Sequence, residues 1–259
     1  MNSLLHRADA FFLCLFLFAA MIVMVLLGRW CNKRWFGEEQ ELKGGVNSLL
    51  GAMYALSGLM LAFTFGMSGT RLERVRGVVE LEANNIGTAI LRADLYADSV
   101  RKEFRVDFKD YLEAVISFYE NATDQTLALK AKEDAGNAGK KLWERAAQQS
   151  KLPNMLIPSS QMVPALNSMF DIATSREVVL KARVPDLIIY MLFVCVLATC
   201  LIAGFTSSKF NYRDRIIVTG FAFVTSMVIY ATIDLARPMR GVIKERAGKN
   251  AVIELRKMF

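Results

Sequence analysis

The sequence predicts an all-α membrane protein with four transmembrane helices and an all-helical cytoplasmic domain inserted between the second and third spans. The chain has 259 residues, and its apolar residues concentrate in four long segments that strongly charged segments separate. Each apolar segment is long enough for a helix to cross the ~30 Å hydrocarbon core of a bilayer. In the charged segments, apolar residues recur at helical spacing, and no segment shows the alternation and turn signals of strands.

The first span is predicted at residues 10–28, where the segment AFFLCLFLFAAMIVMVLLG contains no charged residue. A cleaved signal peptide is the competing interpretation. However, the apolar run is longer than that of a signal peptide, and Arg29 and Trp30 follow it where small residues would mark a cleavage site. We therefore assign residues 1–69 to an N-terminal membrane hairpin.

The second span is predicted at residues 45–69, and the predicted architecture depends on it. No charged residue occurs from Gly44 to Gly69. Basic residues follow at once, and we expect the helix to continue from the membrane into water. These basic residues, which would give the entry of a pore a positive charge, are Arg71, Arg74 and Arg76.

Two faces of the second span differ in side-chain size. Bulky apolar residues recur at spacing four, and they predict either packing on lipid or on the chain's own helices, or a narrow gate around a pore. Small residues form a ladder that allows close helix packing, either within the chain or around a symmetry axis. The bulky strip is Leu59, Phe63 and Met67, with Phe65 as the alternative for a different helix rotation, and the ladder is Gly58, Ala62 and Gly66.

Residues 70–184 are predicted to form the cytoplasmic helical domain. Either Thr123 or Asp124 is expected to cap a helix, because both follow a break in the apolar periodicity. The helices are predicted at residues 75–91, 97–120, 127–151 and 160–184.

The segment ELEANNIG at residues 80–87 contains residues that are unfavourable in helix interiors. Either a packed polar network retains them, or the helix has a kink or a loose turn there. The predicted network comprises Glu82, Asn84, Asn85, Arg92 and Asp94.

A C-terminal membrane hairpin is predicted at residues 185–235, with spans at 186–205 and 216–234, followed by a basic tail at 236–259. An acidic residue stands at the mouth of each span, three residues from an arginine. Local ion pairs are the plain interpretation of this spacing, and an ion pathway is the alternative. The two pairs are Asp186 with Arg183 and Asp234 with Arg237.

Four spans place both termini and the helical domain on the same side of the membrane. Lysines and arginines near the span ends are more numerous on that side, which favours the cytoplasm. The net charge of +7 indicates contact with anionic lipid. Nucleic acid is not an expected partner, because the basic residues lack an aromatic binding platform.

Catalytic and metal-binding functions are not expected, and no cofactor is predicted. The only histidine is His6, so a nucleophile would have no histidine base near it, and the phosphate-binding glycine motifs are absent. No CxxC pair occurs among the cysteines, which we interpret as small buried hydrophobes. They are Cys14, Cys31, Cys195 and Cys200.

Several segments resemble the bacterial bestrophin-like domain proteins, a membrane family of unknown function. The first segment reads FTFGMSGTRLERVRGVVELEANNIGTAILRADL, and the second reads DLARPMRG at residues 234–241. Between them lie single matching positions, and the resemblance extends over residues 45–245. These positions are Asn167, Asp171, Arg176 and Pro185.

The family is distantly similar to the bestrophin channels, which have four spans, a cytoplasmic helical domain and a fivefold assembly. The resemblance implies a homo-oligomer in a bacterial inner membrane, and a pentamer if the chain assembles as bestrophins do. Its second span would line a pore for small inorganic ions, anions more than cations, and Leu59, Phe63 and Met67 would form the neck. The acidic calcium-binding cluster of animal bestrophins has no counterpart in residues 237–259, and the proline that begins their neck is missing. The alternative function is a non-conducting scaffold or sensor whose helical domain binds a cytoplasmic partner.

Overall fold

The structure is a computed structural model that describes residues 10–36, 44–182, 185–206, 212–237, 239 and 247–259. The described residues are almost entirely helical and include no strand, which confirms the all-α prediction. In chain order the helices are α1 (Ala10–Phe36), α2 (Gly44–Arg92), α3 (Asp98–Glu120), α4 (Gln125–Gln149), α5 (Leu156–Lys181), α6 (Asp186–Thr206), α7 (Tyr212–Leu235) and α8 (Ala247–Glu254), with 3-10 turns at Ala93–Leu95, Pro153–Met155 and Leu255–Met258.

Four stretches contain a helix that is long and apolar enough to cross a membrane, as judged by length and composition. Each of them overlaps one of the four predicted spans, and two extend well beyond it. Helix α2 continues without interruption for 49 residues, beyond the end of the apolar segment. The four stretches are Ala10–Trp35, Ser48–Leu95, Pro153–Thr206 and Arg215–Leu235.

The chain divides into two compact units, and the boundary falls within α2. One unit, here called the membrane unit, comprises Met1–Arg71 and Val184–Ala236. The other, here called the helical unit, comprises Leu72–Arg183 and Arg237–Phe259.

In the membrane unit, α1 packs against α6 and α7. Two glycines bring the backbones of α1 and α6 into direct contact. A Cβ atom on Gly28 would overlap the carbonyl oxygen of Leu201, and one on Gly204 would overlap that of Val25. The close helix contact within this unit therefore lies between the first and third spans, because only glycine fits at that crossing.

The core of the helical unit is built around α3. Phe104, Phe108 and Leu112 recur at spacing four on α3 and are fully buried. They pack in one cluster with apolar residues from α2, α4, α5 and α8. Asp124 caps the start of α4, since its carboxylate accepts hydrogen bonds from the backbone N–H groups of Thr126 and Leu127 at 2.9 and 3.1 Å.

The end of the predicted basic tail folds onto the helical unit. Val252 of α8 is fully buried in the core of the unit. Arg256 donates two hydrogen bonds to the Glu113 carboxylate, at 2.8 and 2.6 Å. Arg105 donates to the carbonyl oxygen of Met258 at 2.6 Å. The C-terminal segment is therefore held by both apolar burial and charged contacts.

We predict that acid weakens the docking of this segment. Hydrogen bonds from Arg256 lower the pKa of Glu113, slight burial opposes them, and the charges of Arg256 and Lys109 lower the pKa further. Because the pKa in the folded state lies below the ordinary value of 4.5, the stabilisation is present above that pH and is lost as the pH falls through the folded value. Hydrogen-exchange protection factors of residues 248–258 should fall in acid. In Glu113→Gln, protection should already be lower at neutral pH and change less. Identical acid responses of the two proteins would contradict this assignment.

Candidate functional site

Over residues 51–69, helix α2 has one face that packs within the chain and two that do not. The packed face carries hydroxyl side chains that are 4% exposed or less. At 3.6 residues per turn, the bulky strip lies about 120° around the helix from this hydroxyl face. The hydroxyl face comprises Ser57, Thr64 and Ser68.

Side-chain contacts with α6 and α7 fix the rotation of α2 within the membrane unit. Ser57 Oγ lies 2.9 Å from Thr199 Oγ1 and 3.3 Å from Cys195 Sγ, both on α6. The ring of Tyr54 packs edge-on against Phe221 of α7, with centroids 5.0 Å apart. Buried hydrogen bonds between spans are favourable in an apolar environment, so the hydroxyl face is the face that turns toward the other spans. The sequence analysis did not identify this face.

The bulky strip of α2 is exposed. The side chains of Leu59, Phe63 and Met67 are 53%, 65% and 41% exposed. Phe65 is 42% exposed, but it lies about 200° around the helix from Phe63. Packing of the strip on the chain's own helices is therefore wrong for the described part of the chain, and lipid or a pore axis remains.

The small-residue ladder is also open. A Cβ atom added to Gly51, Gly58, Gly66 or Gly69 would have no neighbour within 4 Å. Ala62 is likewise exposed. Among the described residues, the interpretation of the ladder as an intrachain contact is therefore wrong. None of the described residues covers this face.

The three predicted entry arginines differ in their surroundings. Arg76 pairs with Glu73 one helical turn away, with Nη1 to Oε1 at 3.0 Å. Arg74 is exposed and Arg71 is half-buried. All three lie on α2 beyond the bulky strip.

The second half of α2 is anchored by a buried ion pair. Glu82 is fully buried, and its Oε1 accepts a hydrogen bond from Arg176 Nη1 of α5 at 2.6 Å. Its Oε2 accepts one from the Tyr119 hydroxyl of α3 at 2.5 Å. The Arg176 guanidinium also lies over the Phe118 ring, 4.4 Å from the centroid. One carboxylate thus joins three helices, because its partners come from α3 and α5.

Charge and burial act together on the partners of Glu82. Burial raises the pKa of Tyr119, and the Glu82 charge raises it further. Burial opposes the charge on Arg176, but Glu82, Tyr119 and Tyr111 together outweigh burial, and the pKa of Arg176 is raised. Tyr119 therefore keeps the proton that it donates, and Arg176 keeps its positive charge.

The other residues of the predicted polar network have separate partners. Asn85 Nδ2 donates to the Ser168 carbonyl oxygen at 3.0 Å, and Arg92 donates to the Gln161 side chain. Together with the ion pair of Glu82, these bonds connect α2 to α5 at three levels. Asp94 instead accepts from Arg105 of α3 at 2.9 and 3.2 Å, and Asn84 is exposed.

The membrane-mouth residues are only partly described. Asp186 lies in the first turn of α6, where a negative charge is favourable at a helix N-terminus. Arg183 lies outside the described residues. Asp234 is buried near the end of α7, and Arg237 is half-buried. Among the described residues, no group of three His, Cys, Asp or Glu side chains could hold a metal ion.

Comparison with known proteins gives consistent results. A family model described as Bestrophin-like domain matches residues 14–244. A bacterial bestrophin homologue from Klebsiella pneumoniae has a TM-score of 0.67 at 14% identity, with 94% of this chain and 96% of that chain covered. A point variant of such a homologue has a TM-score of 0.64 at 12% identity, with 93% of this chain and 98% of that chain covered. Another structure, described as a membrane protein, has a TM-score of 0.62 at 16% identity, with 97% of each chain covered. The sequence matches none of the curated proteins.

Proposed function

The chain belongs to the bestrophin-like family, and from that premise we propose that it forms an oligomeric ion channel whose pore is lined by α2. Bestrophins are channels built from several copies of one chain. The proposed assembly is a ring of five copies, as in bestrophins. We place it in the bacterial inner membrane with both termini in the cytoplasm.

The open faces of α2 carry this proposal. Only 11% of the apolar 18-residue window in the stretch that contains α2 is buried. In the stretches that contain α1, α6 and α7, 28%, 39% and 33% of the corresponding windows are buried. Glycine-lined faces allow neighbouring helices to approach closely in lipid. In a ring, the open ladder would pack on neighbouring copies, and the bulky strip would face the axis. Apolar side chains that converge on an axis form a constriction that gates by dewetting.

Anions are the proposed cargo. Three arginines and one glutamate follow the strip along α2, at Arg71, Glu73, Arg74 and Arg76. Because positive charges outnumber negative ones there, they would raise the local concentration of anions. Reversal potentials in a chloride gradient test this selectivity.

Phe63→Ala is predicted to raise single-channel conductance. Removing the ring widens and wets an apolar constriction, so conductance in planar bilayers should rise by about twofold or more. Phe223→Ala is the matched control, because Phe223 of α7 is 60% exposed but lies outside the proposed pore helix. Phe65→Ala tests the alternative rotation.

Three outcomes would contradict the proposal. The first is a wild-type protein that does not conduct at any voltage, together with an equally silent Phe63→Ala. The second is an equal effect of Phe63→Ala and Phe223→Ala. The third is a detergent-solubilised particle with the mass of one chain.

A non-conducting scaffold or sensor is the second candidate function. Exposed apolar residues at the start of α5 favour it, since Leu156 and Ile157 are 72% and 76% exposed in the helical unit. A cytoplasmic protein that copurifies with the chain and is lost in Leu156→Ser/Ile157→Ser would support this function. The mass of the detergent-solubilised particle, measured without the cytoplasmic partner, distinguishes the channel from the scaffold or sensor.

A further inference from the structure

We propose that the membrane unit contains a binding site for an anionic phospholipid, in a groove between α1 and α7. The groove has a volume of about 370 Å³ and is lined by residues of these two helices. One part of its lining is apolar and the other part is basic. The site depends on the membrane location of the chain and not on the proposed conduction of ions.

The apolar part of the groove suits an acyl chain. Ile22, Val25 and Leu26 recur at spacing three and four, so they share one face of α1, and Val218 of α7 adds to the same lining. Val25 is 2% exposed, whereas Leu26 is 52% exposed. The groove therefore has a closed floor and an open side, through which an acyl chain can enter from the bilayer.

Two arginines, one from each helix, form the basic part of the groove. Arg29 lies beyond Ile22 on α1, about 10 Å further along the helix axis, and Arg215 lies at the start of α7. The described residues of the lining include no acidic side chain. Because guanidinium groups bind phosphates through paired N–H donors, these charges favour a phosphate group.

The two guanidinium groups can bind a phosphate in addition to their interactions within the chain. Both arginines have such interactions, but each guanidinium has several N–H donors. Arg215 is exposed and Arg29 is half-buried, so both can be reached from the surface. The N-terminus of α7 adds a positive partial charge close to Arg215.

The arginines lie at the depth at which a phospholipid has its phosphate. Trp30 directly follows Arg29 and is 63% exposed, and tryptophans at the end of a span are typical of the bilayer interface. The apolar residues of the groove lie on the bilayer side of Arg29 in α1 and of Arg215 in α7. A free phosphate would contact only the arginines, whereas a phospholipid also fills the apolar part. We therefore assign the groove to a lipid.

The test measures the quenching of Trp30 fluorescence in the full-length protein, reconstituted in vesicles of dioleoylphosphatidylcholine. A small fraction of the lipid carries brominated acyl chains, which quench nearby tryptophans, and this lipid is either phosphatidylglycerol or phosphatidylcholine. Trp35→Phe leaves Trp30 as the reporter in the membrane unit, and Trp143 of the helical unit gives a constant background. Phosphatidylglycerol should bind about tenfold more strongly than phosphatidylcholine, because two arginines attract its negative charge.

Arg29→Gln/Arg215→Gln should reduce this preference to about twofold or less. The matched control is Lys33→Gln/Arg34→Gln, which removes two exposed positive charges from the last turn of α1, outside the groove. The control should keep most of the preference. Arg215→Gln alone changes only an exposed residue, so it should melt at the wild-type temperature and lose part of the preference.

Four results would overturn the proposal. The first is equal binding of the two lipids to the wild-type protein. The second is an equal loss in the arginine variant and its control, which would indicate a diffuse surface charge. The third is complete release of brominated phosphatidylglycerol by excess soluble glycerol phosphate, which would indicate a site for a free anion. The fourth is no quenching of Trp30 by either lipid, which would show that a second copy of the chain covers the groove. None of these results depends on whether the protein conducts ions.

Discussion

Arg176→Met is expected to lower the free energy of unfolding of the helical unit by about 3–5 kcal/mol. The substitution keeps an apolar stem of similar length but leaves the fully buried Glu82 carboxylate without its counter-charge. Only the hydrogen bond from Tyr119 would remain on that carboxylate. A buried charge without a partner loses hydration that nothing replaces, and this is why the loss exceeds the net stabilisation of the pair itself.

Two comparisons separate this explanation from a loss of packing. In Glu82→Gln/Arg176→Met the buried charge is gone, while the glutamine carbonyl still accepts from Tyr119, so much of the lost stability should return. Arg101→Met removes an arginine whose side chain is 37% exposed and that pairs with the exposed Asp98 at 2.7 Å. Its expected cost is only about 0–1 kcal/mol, as for other exposed pairs.

Chemical denaturation monitored by Trp143 fluorescence measures all three variants, because the other two tryptophans, Trp30 and Trp35, lie in the membrane unit. Equal losses in the single Arg176→Met and the double variant would contradict the role of the unpaired carboxylate. A loss in Arg101→Met as large as that in Arg176→Met would contradict the role of burial.

The fold class and the four spans could be predicted because they depend on local patterns. Uncharged segments of membrane length identify spans, and α2 could be extended past Gly69 because no proline or run of turn residues interrupts it. A local break in periodicity also placed the cap of α4 at either Thr123 or Asp124, and the structure shows that it is Asp124. Such features need only neighbouring residues, so a single sequence contains them.

The rotation of α2 was not predicted, although Ser57, Thr64 and Ser68 recur on one face, because a hydroxyl group in the sequence does not show which helix it contacts. Hydrophobicity distinguishes core from water, but not a helix neighbour from lipid. The rotation depends on a hydrogen bond between Ser57 and Thr199, which are 142 residues apart in the sequence. The same limit applies to Gly28 and Gly204, whose contact across α1 and α6 gives no local signal.

The polar network was predicted from the wrong kind of proximity. The sequence grouped Glu82 with Asn84, Asn85, Arg92 and Asp94 because they are close along the chain. In the structure their described hydrogen bonds go to other helices, and the partner of Glu82 is 94 residues away. Side chains one or two residues apart on a helix point in different directions, and a buried acid is usually neutralised from a packed neighbour.

Gly204→Ala is expected to destabilise the membrane unit by about 3 kcal/mol or more, although it adds a single methyl group. The new Cβ would overlap the carbonyl oxygen of Val25 and lie 2.7 Å from its carbonyl carbon and 2.9 Å from its Cα. These are backbone atoms of α1 that no rotamer change can move. To relieve the overlap, α1 and α6 must separate, and the packing of buried residues such as Met21 and Leu192 is then lost.

The control for this prediction is Gly220→Ala in α7, where a Cβ meets no atom within 4 Å. Alanine is the better helix former, so this variant should be as stable as the wild type or more stable. Gly28→Ala should reproduce the loss, since its Cβ would overlap the Leu201 carbonyl oxygen and lie 2.8 Å from the Phe205 nitrogen. Because both glycines serve one crossing, Gly28→Ala/Gly204→Ala should cost less than the sum of the two single losses. Thermal stability in detergent measures the series, and a Gly204→Ala protein as stable as Gly220→Ala would show that α1 and α6 do not cross at these glycines.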